Sequence, residues 1–325
     1  MKAIVYYEYG SPDDVLELRD IDKPVVNDNE VLVRVHAAGV HIGDWLIAGG
    51  LPYIIRLMGF GLRKPKNNVA GTEVAGRVEA VGKNVKQFQP GDEVFGWCNG
   101  AFAEYVSVPE DGLVLKPASL TFEQAAAVPV SAFTALQGLR DWGKVQAGQK
   151  VLIIGASGGV GTFAVQIAKA FGAEVTGVCS TPNVDMVRSI GADHVIDYTK
   201  EDITQSGQRY DLILDMAGNR SLSLLRRALT PEGTLVIVGG SGSRWFMGMG
   251  RTIRALMLSP FVGQQLRMLL SAGTQNNEDL VALQELLDSR KVTPVVDRTF
   301  GLSEVAEAIG YVGKRHTQGK TVITM

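Results

Sequence analysis

The 325-residue sequence is poor in cysteine and histidine, with two of the first and four of the second. Cys98 and Cys179 lie far apart in the chain, so they suggest neither a four-cysteine zinc site nor the disulfide framework of a small secreted protein. The sequence also lacks an uninterrupted apolar run long enough to span a bilayer. These absences argue against a secreted disulfide scaffold and against an integral membrane protein.

Net charge is also small, because 32 Lys and Arg residues face 34 Asp and Glu residues. Such a balance gives no reason to expect nucleic acid or an anionic membrane as a partner. The first residues predict a strand, not the apolar region of a secretory leader or an Arg-rich transit segment. We therefore expect a cytoplasmic protein that acts on a small molecule, and the length predicts two domains.

The most informative stretch is a buried strand, a glycine turn and a helix between residues 151 and 171. Four apolar residues precede the turn, and apolar residues recur at helical spacing after it. Such a turn brings backbone N–H groups to a helix N-terminus, where a phosphate is favoured. A second predicted strand follows the helix, as dinucleotide binding requires. The predicted cofactor-binding residues of the turn are Gly155, Ser157, Gly158, Gly159, Val160 and Gly161.

The rest of the middle region alternates in the same way, which predicts an α/β unit with a doubly wound parallel sheet. Strands are predicted over 151–154, 175–179, 194–198, 211–216, 234–239 and 267–271, and helices over 160–171, 184–190 and 222–229. The fifth strand ends at Gly239 and Gly240, near the expected position of a nicotinamide.

Residues 1–120 lack this alternation, and short β-type runs separated by turn signals predict a mainly β domain. The runs are 2–7, 30–37, 73–81, 93–97 and 103–107. A helix pair is predicted over 120–141, with Thr121 as its first cap and Pro129 as the break. A helix over 277–287 and strands near 294–296 and 321–325 complete the tail.

Two stretches fit neither pattern. Residues 44–68 are rich in glycine, aromatic and basic residues, and form either a surface loop or a lid over a substrate. Residues 244–265 are apolar and rich in methionine, and three readings stay open for them: an interfacial membrane helix, a helix over the ligand cleft, or a dimer contact. The interrupting Gly248, Gly250 and Pro260 favour the last two.

Five motifs together resemble the medium-chain dehydrogenase/reductase family, in its zinc-independent, quinone oxidoreductase (zeta-crystallin-like) branch. They are GTEVAGRV at 71–78, PGDEVFG at 90–96, GAFAEY at 100–105, the glycine turn at 155–161 and GKTVI at 319–323. The resemblance implies a GroES-like catalytic domain of residues 1–124 and 275–325 and an NADP-binding Rossmann domain of residues 125–274. It also implies a substrate cleft where the domains meet, and a homodimer.

The resemblance bears on metal binding as well. Zinc-dependent relatives carry Cys, His and Cys ligands, which correspond by motif to His41, to Thr72 and to a position near Val130 or Ser131. Only His41 among these can bind zinc, whereas a catalytic zinc needs three protein ligands. The expectation is a metal-free enzyme that reduces an activated acceptor, a quinone or an α,β-unsaturated carbonyl.

The cofactor expected is NADPH. NAD enzymes carry Asp or Glu at the end of the second strand, but here the chain reads Cys179-Ser180-Thr181-Pro182-Asn183. With no carboxylate in this segment, Ser180, Thr181 and Asn183 are predicted to receive a 2′-phosphate. Tyr198 matches a family position beside the adenosine.

A proton must also reach the reduced acceptor. Tyr53 and His41 are the predicted catalytic residues, with water as a third source; a surface role for Tyr53 and a structural role for His41 are the alternatives. Two other functions stay open: an enoyl-thioester reductase, with Trp45, Phe60, Phe246 and Met247 lining a channel, and a catalytically quiet NADPH-binding protein.

Overall fold

A computed structural model describes residues 1–53, 56–57, 61–205, 207–239, 249–269, 277–315 and 317–325 of the chain. Contacts divide the molecule into two units. Unit 1 comprises Met1–Phe133, Gln275–Ser289 and Pro294–Met325, and unit 2 comprises Thr134–Thr274 and Arg290–Thr293. The short segment Arg290–Thr293 is joined to the rest of unit 2 by Gln166, whose side-chain amide makes two hydrogen bonds with the backbone of Thr293, at 2.8 and 3.0 Å. The boundaries at 124/125 and 274/275 stay predictions.

The strands are β1 (Lys2–Val5), β2 (Glu17–Asp20), β3 (Glu30–Val40), β4 (Glu73–Val81), β5 (Glu93–Trp97), β6 (Tyr105–Pro109), β7 (Leu113–Leu115), β8 (Lys150–Ile154), β9 (Glu174–Cys179), β10 (His194–Asp197), β11 (Tyr210–Asp215), β12 (Leu229–Ile237), β13 (Gln265–Met268), β14 (Val296–Gly301) and β15 (Lys320–Thr324).

The α-helices are α1 (Pro12–Val15), α2 (Ile42–Gly49), α3 (Phe122–Ala126), α4 (Pro129–Gln137), α5 (Gly159–Ala170), α6 (Val184–Ser189), α7 (Leu222–Ala228), α8 (Met249–Leu258), α9 (Asn277–Asp288) and α10 (Val305–Gly313). Within the described residues, no helix combines the length and the apolar character needed to cross a bilayer.

Unit 1 is built on a seven-stranded sheet in the order β14-β15-β3-β4-β5-β7, with β6 paired to β3. Only β14 and β15 pair in parallel; the other pairs of this sheet are antiparallel. In β3, Arg34 is exposed between the buried Val33 and Val35, and Leu32 is buried as well. This partial alternation is typical of an antiparallel strand with one face on the core. The expectation of a mainly β domain is confirmed.

Unit 2 contains a six-stranded sheet in the order β10-β9-β8-β11-β12-β13, and all its pairs are parallel. The apolar residues of β8 are fully buried, as a strand covered on both faces requires. The strand order reverses at β8, and in such sheets the ligand binds beyond the carboxyl ends of the strands at this switch point. The glycine turn follows β8 directly, so the predicted Rossmann plan is confirmed.

Five of these strands and helices were missed, namely α1, α2, β2, β7 and α10. β2 is exposed along its whole length and β7 has three residues, so neither shows a periodic pattern. α10 does carry a helical pattern, since Val305, Ala308, Ile309 and Val312 are buried at helical spacing. The loop prediction over 44–68 was wrong in its first part, because α2 extends to Gly49.

Candidate active site

The glycine turn joins β8 to α5 in unit 2. Gly155 adopts a φ of +88°, a conformation that glycine reaches without strain. A β-carbon on Gly161 would overlap the carbonyl oxygen of Gly155, so only glycine lets the helix pack this close to the turn. The helix begins at Gly159, with Gly158 as its N-cap.

The same turn has room for a ligand on its other side. A β-carbon on Gly158 would meet only the Gly155 carbonyl oxygen, at 3.6 Å. The N–H groups of Gly159 and Val160 open a 12-residue helix and have no acceptor one turn earlier within it. These residues therefore fit a phosphate group of a dinucleotide, which accepts hydrogen bonds and is favoured at a helix N-terminus.

A group of polar residues lies beside this turn, and we call it the hydroxyl cluster: Ser157, Ser180, Thr181, Asn183 and Asp197. Asn183 is 7% exposed, and its Nδ2 lies 3.1 Å from Ser157 Oγ and 3.2 Å from Ser180 Oγ. Its Oδ1 is buried without a hydrogen-bond partner among the described residues. Asn183 thus joins the glycine turn to the segment after β9, a contact that the sequence did not reveal.

A carboxylate from another strand lies beside this segment, which itself carries none. Asp197, the last residue of β10, accepts a hydrogen bond from the Thr181 hydroxyl at 2.7 Å, and it forms an ion pair with Lys200 at 3.0 Å. The Thr181 hydrogen bond, with others from Thr199 and Lys200, holds the pKa of Asp197 well below its usual range. What Thr181 offers a ligand is therefore its backbone N–H, since its hydroxyl is committed to Asp197.

The remaining predicted cofactor residues have separate environments. Tyr198 is 51% exposed, and the Arg220 guanidinium lies 6.0 Å from its ring centre. Gly239 follows β12 where a β-carbon would overlap the carbonyl oxygen of Met216, so this glycine is required by close packing. Gly240 lies outside the described residues, as do Phe60, Phe246 and Met247.

Unit 1 holds the second group, which we call the charged cluster: His41, Asp44, Thr72, Glu73 and Lys320. His41 is the N-cap of α2, and its Nδ1 accepts a hydrogen bond from the Gly43 N–H at 2.9 Å. In return, Asp44 accepts from the His41 N–H at 2.8 Å. Because Nδ1 is an acceptor, Nε2 carries the proton of the neutral ring and donates to Thr72 Oγ1 at 2.8 Å.

Two buried, oppositely charged residues lie next to the hydrogen-bonded His41 and Thr72. Glu73 and Lys320 are 0% and 2% exposed, and their side chains form an ion pair at 2.5 Å. The second carboxylate oxygen of Glu73 accepts from the Val130 N–H at 2.8 Å. Burial raises the pKa of Asp44. Thr72 directly precedes Glu73, so the Glu73 contacts fix the backbone that carries the Thr72 hydroxyl.

These residues do not fit a catalytic zinc. His41 Nε2, the atom that would face a metal, is hydrogen-bonded to Thr72, a threonine where zinc-dependent relatives have histidine. The third position supplies Val130 or Ser131, neither of which is a zinc ligand of the usual kinds. In the part of the chain that the structure describes, no group of three His, Cys, Asp or Glu residues could hold a metal ion.

Tyr53 lies just beyond α2 and is partly exposed. The Arg56 guanidinium is 4.8 Å from its ring centre and 4.4 Å from that of Tyr9. Arg56 Nε also donates to the Gly50 carbonyl at 2.9 Å, which ties this segment to the end of α2. The structure therefore brings His41 and Thr72 together and gives Tyr53 an aromatic and cationic setting of its own.

The chain is similar to known proteins over its whole length. Residues 27–118 match the family described as the alcohol dehydrogenase GroES-like domain, and residues 190–323 match the family described as zinc-binding dehydrogenase. The mitochondrial NAD(P)H oxidoreductase RTN4IP1 of Mus musculus is 34% identical over 357 residues, which cover 100% of this chain and 89% of the relative.

Two further similarities extend over nearly all of the chain. The chloroplastic NADPH-dependent alkenal/one oxidoreductase of Arabidopsis thaliana is 33% identical over 342 residues, which cover 99% of this chain and 79% of the relative. The solved structure of Escherichia coli quinone oxidoreductase complexed with NADPH superposes with a TM-score of 0.83 at 25% identity and covers 100% of both chains.

Proposed function

The chain belongs to the medium-chain dehydrogenase/reductase family, and from that premise we propose that it is a metal-independent, NADPH-dependent reductase of quinones or α,β-unsaturated carbonyls. The observation that carries the proposal is the His41–Thr72 hydrogen bond, which stands where zinc-dependent relatives have two metal ligands. The cofactor supplies the hydride; the protein's own residues bind it and prepare the acceptor.

Cofactor binding is assigned to unit 2. Gly158, Gly159 and Val160 present the open side of the glycine turn to the pyrophosphate, while Gly155 and Gly161 shape the turn itself. Ser157, Ser180, Asn183 and Tyr198 are assigned to the adenosine end, and Gly239 and Gly240 to the nicotinamide end.

Preference for NADPH rests on the segment after β9. It carries no carboxylate, and the hydroxyls of Ser157 and Ser180 are partly exposed donors beside a helix N-terminus. Asp197 opposes a phosphate, but the charge of this carboxylate is offset by Lys200 and its oxygens are hydrogen-bonded by Thr181 and Thr199. Two of the relatives described above are named or solved with NADPH.

Acceptor activation is assigned to Thr72. Its hydroxyl oxygen accepts from His41 Nε2, so its own proton is free to donate to the carbonyl oxygen of a quinone or enone, where negative charge develops as hydride arrives. His41 acts as a positioning residue, because a neutral ring whose Nδ1 already accepts has no second proton to give. Tyr53 stays the predicted donor of the proton that completes the reduction.

The test is anaerobic oxidation of NADPH, with NADH in parallel, against a panel of quinones, enones and enoyl thioesters. Turnover of quinones or enones with NADPH, unchanged by chelators and by removal of trace metals, would support the proposal. Turnover of enoyl thioesters alone would identify the enoyl-thioester reductase. Tight NADPH binding without turnover of any acceptor would favour a catalytically quiet cofactor-binding protein.

Assembly and location complete the proposal. We expect a homodimer, which sedimentation equilibrium of the purified protein would test against a monomer. We expect the protein in the cytoplasm, although the relatives compared above include a mitochondrial and a chloroplastic protein. Fractionation of cells that produce the chain at its natural level would distinguish these compartments.

A further inference from the structure

Asn183 makes two hydrogen bonds through its amide nitrogen, and in both it can act only as the donor. The amide nitrogen Nδ2 is a donor and cannot accept, so the oxygens of Ser157 and Ser180 must be acceptors in these bonds. Each serine therefore keeps its own hydroxyl proton for another partner. Among the described residues, neither hydroxyl donates to a protein acceptor.

The orientation of the amide leaves a polar atom without a partner. With Nδ2 towards the serines, Oδ1 is buried and accepts no hydrogen bond from the described residues. In the reverse orientation Oδ1 would accept from both serines and use up their protons. The arrangement thus leaves one acceptor of Asn183 unsatisfied and keeps two hydroxyls available as donors.

The position of the serines indicates which anion they receive. Both oxygens lie within 3.2 Å of one nitrogen, so a single phosphate can contact both hydroxyls. Ser157 belongs to the glycine turn, and Ser180 directly follows β9, where NAD enzymes carry the acid that binds the ribose 2′-hydroxyl. The group that replaces this hydroxyl contact in NADPH is the 2′-phosphate.

We propose that Asn183 is a positioning residue for cofactor choice: its amide nitrogen holds the hydroxyls of Ser157 and Ser180 as paired donors to the 2′-phosphate. The proposal rests on the proposed use of NADPH. This role requires no contact between Asn183 and the cofactor. It predicts that affinity for the 2′-phosphate depends on whether the side-chain atom of residue 183 that faces the two serines is a hydrogen-bond donor or an acceptor.

The test measures binding of 2′,5′-ADP and 5′-ADP to the full chain by titration calorimetry. Asn183→Asp keeps the shape of the side chain but replaces the donor with an acceptor, so both serines turn their protons towards it. We expect affinity for 2′,5′-ADP to fall at least tenfold and affinity for 5′-ADP to change less than threefold. Gln265→Glu, at an exposed position of β13 on the far edge of the sheet, adds the same charge and should change neither affinity.

Ser180→Ala supplies a variant that buries no charge. Alone, it should weaken 2′,5′-ADP binding about tenfold, because a hydrogen bond to a charged group is lost. Combined with Asn183→Asp, it should add less than a twofold loss, because the hydroxyl is already turned away. This coupling is the readout that a merely structural role of Asn183 would not produce.

Two results would contradict the assignment in distinguishable ways. If the variants weaken 2′,5′-ADP and 5′-ADP equally, Asn183 only maintains the loop and the proposed cofactor preference stands. If the unaltered protein binds both nucleotides equally, the NADPH preference itself is overturned, and the assignment falls with it.

Discussion

The charged cluster of unit 1 and the hydroxyl cluster of unit 2 differ in the burial and the charge of their side chains. In the charged cluster, Glu73 and Lys320 are almost fully buried and neutralise one another. In the hydroxyl cluster, Ser157 and Ser180 are neutral and partly exposed. A site for a charged ligand such as a phosphate needs accessible hydrogen-bond donors. A site that orients a neutral substrate can keep its own charged side chains buried and paired with one another. The comparison predicts that neutral hydroxyl groups make the ligand contacts in both clusters.

The first prediction breaks the charged cluster. Lys320→Met removes the partner of a buried carboxylate and should lower the free energy of unfolding by about 3–5 kcal/mol, since Glu73 is left uncompensated. Differential scanning calorimetry would measure the shift. The matched control is Lys169→Met in unit 2, whose pair with Asp193 is about one third exposed and should contribute less than about 1 kcal/mol. Equal losses from both variants would contradict the distinction.

A second prediction tests the hydroxyl that the charged cluster supports. Thr72→Val should lower kcat about a hundredfold, because one donor to the developing oxyanion is lost. Thr72→Ser keeps the hydroxyl and should retain most activity. Steady-state kinetics with a quinone and an enone would measure both variants, and a Tyr53→Phe variant would show the contribution of the second predicted residue. An active Thr72→Val enzyme would remove Thr72 from the mechanism.

The third prediction separates the two uses of glycine in the cofactor turn. Gly161→Ala forces a β-carbon against the Gly155 carbonyl and should cost about 1–3 kcal/mol of stability together with NADPH affinity. Gly158→Ala meets no close atom and should cost at most about 1 kcal/mol, as a change of N-cap residue. It should nevertheless weaken NADPH binding, which fluorescence titration would measure. Unchanged NADPH affinity in Gly158→Ala would place the phosphate elsewhere.

The smallest expected effect concerns acid titration in the hydroxyl cluster. Thr181→Val removes the hydrogen bond that contributes most to the lowered pKa of Asp197, so this pKa should rise towards its ordinary value. Asp197 contributes stability that is present above its ordinary pKa of about 4 and is lost as pH falls through the lowered value. The variant should therefore lose this contribution at a higher pH, which carbon-detected NMR titration would follow. Asp44 shifts in the opposite direction, because burial raises its pKa.

Much of unit 2 could be predicted because its signals are local. The strand, the turn at Gly155 and the helix lie within about twenty consecutive residues, and a parallel strand covered on both faces shows as a continuous apolar run. The helix α10 was missed although its apolar residues recur at helical spacing. The exposed strand β2 was missed because it has no apolar face to show.

The polar contacts could not be predicted, because their partners are distant in the chain. His41 and Thr72 are 31 positions apart, and Glu73 and Lys320 are 247 positions apart. The sequence identified His41, Thr72 and Asn183 as positions of interest through motif correspondence. It could not show that His41 donates to Thr72, or that Asn183 faces two serines.

The sequence by itself determined the alternation of strands and helices in unit 2, the glycine turn and the family, because backbone geometry and burial leave periodic or local signals. Only the tertiary structure decided which polar atoms meet: that Asp197 takes the Thr181 hydroxyl, and that Lys320 neutralises Glu73. The physical reason is that a hydrogen bond or an ion pair depends on distances of about 3 Å between side chains, and strand pairing sets those distances between residues that no local pattern connects.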